Sequence, residues 1–373
     1  MNSVAILLSS LGSGGAERVA VGLANAWVGK ATRVTLVPTH SNFDGSSFYA
    51  IDDRVDVVPV VANRKPQPPG AKYWGFFLRL YRLRRLVLRV KPDVVIAFMP
   101  NVNVAAVIAT AFTGIPNAIG ERSDPSAQPI GLFWQTACAL FYRFTDVLTV
   151  QTSSVAQKIP ALYGGIRRVE VMPNPLPEGL LAYQCQFGRA VGRRVLLSLG
   201  RLAPEKQIDQ IITVFSQLVD KHSDWDLHIY GDGPLAPALL AQAVALGLQD
   251  RVMFKGATRQ PWQVMENADL FVMNSRFEGF PNALLEAMGV GLPCVAADCP
   301  SGPREISRDG RDAILFAPRD LEGMRTHLDS LMADHPRREE LGRQARASVS
   351  ERYSLTSVLK RWEALLASIE ARP

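Results

Sequence analysis

The chain has 373 residues, 47% hydrophobic and 20% charged, which excludes a disordered or collagen-like protein and makes two domains the expected number. Four irregularly spaced cysteines, Cys138, Cys185, Cys294 and Cys299, argue against a disulfide framework; five histidines with no HExxH or Cys/His cluster argue against a metal site. The net charge of +6 is uneven: residues 1–173 hold 18 Lys+Arg against 10 Asp+Glu and residues 174–373 hold 23 against 25, so the first half alone expects an acidic or membranous partner.

The N-terminus, MNSVAILLSS, lacks a positively charged leader and reads as a first buried strand, so a cytoplasmic location is expected. Further strand-like runs follow at 33–39, 55–60, 93–99, 116–121 and 146–152, with helical patterns such as 17–28 and 102–112 between them. The second half repeats the alternation, with strands at 194–200, 226–231, 251–256, 269–274 and 292–298. Such alternation builds parallel sheets covered by helices, with ligands at the carboxyl ends of the strands. The expected class is therefore α/β. Its domains are 1–173, 174–350 and a terminal segment, 351–373, whose helix has a docking face suited to pack back across the domain junction. Three prolines in VMPNPLPEGLLA (171–182) mark the linker.

Several segments could carry chemistry. The first strand ends in SSLGSGGAER (9–18), whose glycines allow close approach to a phosphate or sugar, although a tight strand–helix corner accounts for them equally well. It is neither a dinucleotide fingerprint nor a Walker motif. The helical stretch 72–91, KYWGFFLRLYRLRRLVLRVK, has seven cations and no acids. Arg79, Arg82, Arg85 and Arg89 share one face, and Trp74, Phe77, Tyr81 and Leu88 share a neighbouring one. That is the make-up of an interfacial amphipathic helix; a core helix with solvated arginines is the alternative. The charge asymmetry favours an anionic membrane surface, and no recognition motif for nucleic acid follows.

LSLGRLAPEKQID (197–209) places Arg201 and Lys206 in the loop after a strand, with Pro204 and Glu205 opening the next helix. Two cations there can converge on an anion; as solvated loop residues they need no ligand. YGDGP (230–234) and FKGATR (254–259) end the next two strands in glycine turns able to meet a base edge. Asp224-Trp-Asp226 precedes a strand instead of ending one, which reads as turn chemistry and not as a metal site. SRFEGFPNALLEAM (275–288) is turn then helix, with Glu278 in the turn and Glu286 near the second helical turn. A free helix N-terminus attracts phosphate, and two flanking carboxylates suit sugar and ribose hydroxyls. Taken alone, the pair also fits a surface turn with solvated glutamates.

In order, GGAER (14–18), GRLAPEKQID (200–209), GDGP (231–234) and SRFEGFPNALLEAM (275–288) resemble the retaining GT-B glycosyltransferases of family 4. CPSGPREI (299–306) is similar to its bacterial branch, which builds capsular, O-antigen and lipid-linked oligosaccharides. The resemblance implies two Rossmann-like domains with a cleft between them, acceptor in the first and nucleotide-sugar donor in the second. It implies that Arg201 and Lys206 bind the diphosphate, Glu278 lies near the donor sugar and Glu286 grips the ribose. Gly14, Gly15, Gly231, Phe254, Phe280, Pro281 and Asn282 then belong to donor binding, and Glu17, Asn101, Glu121 and Arg122 to the acceptor or sugar region. Many relatives carry a histidine after the fifth strand, where this chain reads GERSDP (120–125). The implied activity is hexosyl transfer, from a UDP-sugar carrying a hexose or N-acetylhexosamine to a polyprenyl-diphosphate-linked or other glycan acceptor. No cofactor or metal is implied, and the implied place is the cytoplasmic face of the inner membrane. A UDP-sugar 2-epimerase with the same layout, and a non-catalytic nucleotide-sugar or membrane-binding module, are the alternatives.

Overall fold

The computed structural model describes residues 2–12, 14–40, 47–60, 72–127, 130–187 and 192–370, without the side chains of 72–74, so Trp74 lies outside the described side chains. The chain divides into two compact units, Met1–Pro175 with Thr356–Pro373, and Leu176–Leu355. These divisions fall a few residues beyond 173/174 and 350/351. The later one is displaced because a helix runs on to Tyr353 and the extended residue Ser354, with ψ 150°, ends it.

In the first unit the elements are β1 (Ser3–Leu8), α1 (Gly15–Val28), β2 (Arg33–Pro38), β3 (Asp56–Val57), α2 (Lys72–Val90), β4 (Val94–Phe98) and α3 (Pro100–Thr110). They continue with β5 (Asn117–Gly120), α4 (Leu132–Phe141), β6 (Val147–Val150), α5 (Ser153–Leu162) and β7 (Val169–Val171). The strands form one parallel sheet in the order β3-β2-β1-β4-β5-β6-β7. Val4 pairs with Val34 on one side and Val94 on the other, so chain order reverses beside β1. Residues Val4–Leu8 and Val94–Phe98 are almost completely buried, as strands covered on both faces must be. The run expected at 55–60 shrinks to a two-residue edge strand; Val58 N and Val60 N still donate to Leu36 O and Pro38 O at 2.9 and 3.1 Å, but Pro38 on β2 has no N–H with which to donate back. Conversely, β7 ends at the first residue of the expected linker.

The second unit holds β8 (Arg194–Leu199), α6 (Ile208–Ser216), β9 (Trp225–Tyr230), α7 (Ala236–Ala245), β10 (Val252–Phe254), α8 (Pro261–Glu266) and β11 (Leu270–Met273). After these come α9 (Asn282–Val290), β12 (Cys294–Ala297), α10 (Pro303–Ile306), β13 (Ile314–Phe316), α11 (Leu321–Ala333) and α12 (His335–Tyr353). Its parallel sheet runs β10-β9-β8-β11-β12-β13, so order reverses between β8 and β11. The edge strand β13 is too short to show in the sequence pattern. Asp320 and Asp334 cap α11 and α12 by accepting from Gly323 N at 2.8 Å and Arg337 N at 3.0 Å.

The last helix, α13 (Leu355–Glu370), groups with the first unit. It buries Val358, Leu359, Trp362, Leu365, Leu366 and Ile369. Within that unit the Trp362 ring stands edge-on to Trp27 at 6.5 Å and to Phe98 at 6.2 Å, and Glu363 accepts from Lys30 at 2.6 Å. Edge-to-face contacts of this kind add to the large apolar area each ring buries. Trp362→Ala is expected to destabilise the first unit by about 3–5 kcal/mol, the usual cost of a large buried ring. Urea unfolding followed by circular dichroism checks it; an unshifted midpoint would show that α13 is not part of that core.

Candidate functional site

In both sheets the loops at the carboxyl ends of the strands carry the polar residues. In the second unit, β8 and β11 flank the point where strand order reverses, the place where open α/β sheets bind ligands. A pocket of about 160 Å³ opens there, lined by Ser198, Gly200, Lys206, Asn274, Ser275 and Glu278, and closed by Phe280, Pro281, Asn282 and Ala283.

Lys206 reaches it from a tight turn. Pro204–Lys206 is a single 3-10 turn, and Gln207 adopts a left-handed φ of 49° before α6 begins at Ile208. Pro204 and Glu205 therefore do not open the next helix, because Gln207 interrupts it. Lys206 Nζ donates to Glu278 Oε1 at 2.5 Å, and Ser275 Oγ donates to the same oxygen at 2.7 Å. Both partners are mostly buried, with 24% and 13% of their side chains exposed. The charge-assisted bond aims the ammonium into the pocket.

α9 starts at the pocket wall, with no side-chain cap and no acid in its first turn. Its first N–H groups therefore give the pocket the positive end of a helix. Gly302, at φ 101°, packs so tightly on Pro281 that a Cβ would come within 2.2 Å of Pro281 Cδ, and Ser301 Oγ donates to Gly279 O at 3.0 Å. The CPSGP segment thus clamps the turn that carries Glu278.

The other expected donor residues sort differently. Glu286 is buried on α9 and accepts from Trp262 Nε1 at 3.1 Å, but is not among the pocket-lining residues. Trp262 carried no sequence signal, because one aromatic residue at a helix start reads as packing. Arg201 is exposed, does not line the pocket and has no ion pair among the described residues. Of the two expected cations, Lys206 lines the pocket and Arg201 does not. Gly231 acts by absence of bulk: its φ is 136° and a Cβ would lie 1.9 Å from Gly200 O. With Leu202 N donating to Asp232 O at 2.9 Å, it presses the 200–206 loop into place. Phe254, half-buried, packs on the core of the second unit, and Phe280 is buried with its ring 6.0 Å from Tyr353. Asp226 lies inside β9 and takes Arg193 and Arg251 at 2.7 and 2.9 Å; Asp224 pairs with Arg194 at 3.0 Å. Arginines therefore occupy the carboxylates of that motif.

In the first unit Gly14 is the N-cap of α1 and Gly15 its first residue; a Cβ on Gly14 would strike the Glu17 carboxylate. Glu17 accepts from Ser10 Oγ at 3.2 Å. Asn101, after β4, lies 3.4 Å from His40 Nε2. Thr39 Oγ1 donates to Leu8 O and so accepts from His40 Nδ1 at 2.7 Å, which leaves Nε2 to accept from Asn101. His40 belongs to no sequence motif and so gave no signal.

Glu121, after β5, is buried, and Tyr142 donates to its Oε1 at 2.5 Å while accepting from Asn103 at 3.1 Å. Its Oε2 has no partner among the described residues. Burial pushes the carboxyl up to about 7, partly offset by the Tyr142 bond. Arg122 lies on the Phe98 ring at 3.9 Å and donates from Nη1 to Asn174 at 3.1 Å; burial draws it down to about 9. The two neighbours are not paired with each other.

Of the five α2 arginines, Arg82, Arg85 and Arg89 are exposed and Arg79 and Arg84 are half-buried. Arg84 donates to Ala109 O and Ala111 O at 3.2 and 2.7 Å, tying α2 to the end of α3. The helix buries Leu83, Leu86 and Val87, whereas Phe77, Tyr81 and Leu88 stay exposed. No helix among the described residues is long and apolar enough to cross a membrane.

Two family models match in tandem: "Glycosyltransferase Family 4" over residues 13–178 and "Glycosyl transferases group 1" over 183–348. An exopolysaccharide phosphotransferase of Streptomyces coelicolor is 32% identical over 229 residues, 61% of this chain but only 24% of that protein. A Campylobacter jejuni α-1,4-N-acetyl-D-galactosaminyltransferase, named for an undecaprenyl-diphosphate-linked GalNAc acceptor, is 25% identical over 99% of both chains. The solved structure of an Anabaena protein in complex with UDP and glucose superposes with a TM-score of 0.80 at 18% identity, covering 99% of this chain and 100% of that one. The fold is that of GT-B glycosyltransferases.

The Glu121 environment generates a test. A carboxyl raised from 4.5 to about 7 binds its proton in the folded state and releases it on unfolding. Stability should therefore fall as pH rises from the unfolded to the folded pKa, by on the order of 3 kcal/mol. Glu121→Gln should remove most of that slope and be the more stable form above pH 7. Parallel slopes for the two proteins in urea titrations from pH 5 to 8 would contradict the burial argument.

Proposed function

The chain belongs to glycosyltransferase family 4, and from that premise we propose that it transfers a hexose or N-acetylhexosamine from a UDP-sugar to a lipid-linked glycan during assembly of a bacterial surface polysaccharide. The acceptor in this reading is a saccharide carried on polyprenyl diphosphate, and the anomeric configuration is retained. The observation that carries it is the Lys206–Glu278 ion pair at the N-terminus of α9, which holds an ammonium and a carboxylate in fixed positions in a partly buried pocket. The C. jejuni relative supports the acceptor class and the UDP-bound Anabaena structure supports the donor.

Breaking the bond between the anomeric carbon and the diphosphate builds negative charge on the leaving group. In this reading Lys206 and the N-terminal turn of α9 offset it, and exposed Arg201 joins them. Each preorganised donor of this type contributes about 3–4 kcal/mol to the transition state. Glu278 orients Lys206 and offers its second oxygen to the donor sugar. Glu286, fixed by Trp262, accepts from the ribose hydroxyls. Glu17, Asn101, Glu121 and Arg122 form the acceptor side, in the first unit. Arg79, Arg82, Arg85 and Arg89 hold the protein to anionic lipid at the cytoplasmic face of the inner membrane, each contributing about 1 kcal/mol.

Incubation with UDP-sugars and a polyprenyl-diphosphate glycan should yield a lengthened, α-linked lipid product. Formation of an epimerised UDP-sugar, or binding without turnover, would overturn the proposal. Glu286→Ala should raise the donor KM about 10- to 100-fold, as expected for a lost hydrogen bond to a charged group. An unchanged KM would remove Glu286 from the ribose.

A further inference from the structure

The helix α4, LFWQTACALF, contains no charged residue, yet Cys138 is its only fully buried side chain. Leu132 and Phe133, in its first turn, are 79% and 68% exposed, and Leu140 is half exposed. On the neighbouring surface of α2, Phe77 is 64% exposed, beside exposed Leu78 and Tyr81. Four rings join the two helices edge to face. Phe77 meets Phe76 at 5.7 Å, Phe76 meets Trp134 at 6.4 Å, and Trp134 meets Phe133 at 5.2 Å. The two inner rings are half-buried, Trp134 against the core of the first unit, and the two outer rings face outward.

An uncharged helix presenting leucine and phenylalanine to water is unfavourable unless something apolar covers it. The rest of α2 indicates what does. It contains no acid, and Arg82, Arg85 and Arg89 are exposed along it, so an apolar, aromatic tip continues into a cationic flank. A lipid leaflet has the complementary layout, with acyl chains beneath anionic headgroups, and aromatic rings favour that boundary. A protein partner would need an apolar patch rimmed by acids instead.

We propose that Phe77, Leu78, Tyr81, Leu132 and Phe133 form a wedge that inserts into the headgroup–acyl boundary of an anionic bilayer, with the α2 arginines resting on the headgroups beside it. The proposal rests on the lipid-linked acceptor of the proposed function, and it separates attachment into two parts. Attraction by the arginines is screened by salt, whereas apolar insertion is not. Insertion therefore survives salt that abolishes a purely electrostatic contact.

Sedimentation of the full chain with liposomes of phosphatidylcholine and phosphatidylglycerol, at low salt and at about 500 mM salt, where the Debye length is only a few Å, tests this. Wild type should bind tightly at low salt and keep a measurable part of its binding at high salt. The variant Phe77→Ser/Leu132→Ser/Phe133→Ser should lose at least tenfold of the salt-resistant part. Arg82→Ser/Arg85→Ser/Arg89→Ser should lose mainly the low-salt part. Every substituted position is exposed, so circular dichroism and UDP binding serve as controls for the fold. Equal high-salt binding by wild type and the apolar-to-Ser triple, or none by wild type, would overturn the wedge. So would a wild-type dimer in light scattering that becomes monomeric in that triple, since a second copy would then cover the patch. Failure of wild type to bind UDP would count against the glycosyl-transfer reading and not against the wedge.

Discussion

A mostly buried carboxylate is tolerable only where its charge is offset, and Glu278 achieves this at Oε1, which accepts from both Lys206 and Ser275. Much of the second unit is arranged to make that contact. Lys206 must come back over the end of β8, which requires the 3-10 turn, the left-handed Gln207 and a loop pressed down by Gly231. Glu278 must stay in a turn ahead of α9, which Gly302 and Ser301 clamp from the far side. Neither glycine can be replaced without moving one half of the ion pair. The functional consequence is a cation presented with its geometry already set, in a partly desolvated site where charge interactions are stronger than in water.

The first unit organises its polar groups by a different rule. Glu121 has a phenol for a partner and no cation, so burial keeps its proton near neutral pH. Arg122, one residue on, is held by an aromatic face and an amide. Both sit at the carboxyl edge of a sheet whose strands are otherwise dry, and a substrate hydroxyl is the kind of group such a pair can orient. The exterior of the same unit is cationic along α2 and apolar where α2 meets α4. In the proposed reading, donor chemistry and attachment to lipid therefore fall to different units, joined along the chain near Pro175 and again ahead of the last helix.

How much of this was legible depends on the kind of signal. Buried parallel strands such as 4–8 and 94–98 stand out because an apolar run of strand length, flanked by helical periodicity, fits little except a covered strand. The sequence singled out Lys206 in GRLAPEKQID and Glu278 in SRFEGFPNALLEAM, and the structure brings the two together at one pocket. The sequence places Arg201 in the same loop as Lys206 but does not show which way it turns, and in the structure it is exposed and off the pocket lining. Trp262, His40 and Tyr142 were silent, since each acts through a neighbour distant in sequence: Glu286, Asn101 and Glu121. The short edge strands β3 and β13 are set by pairing to a neighbour and not by local pattern. The aromatic face of α2 was visible as a composition, but only the structure shows that Leu83, Leu86 and Val87 are buried instead and that α4 extends the exposed patch.

The central claim is that Lys206 and a helix end, acting at one pocket, balance the charge of a nucleoside diphosphate. Calorimetric titration of UDP into wild type and Lys206→Ala, both in excess chelator, tests it most directly. The account predicts saturable one-to-one binding by wild type without added metal, weakened about tenfold or more in the variant, in line with the loss of one charge-assisted contact. Equal affinities for the two proteins, or binding by wild type only when a divalent ion is restored, would contradict it.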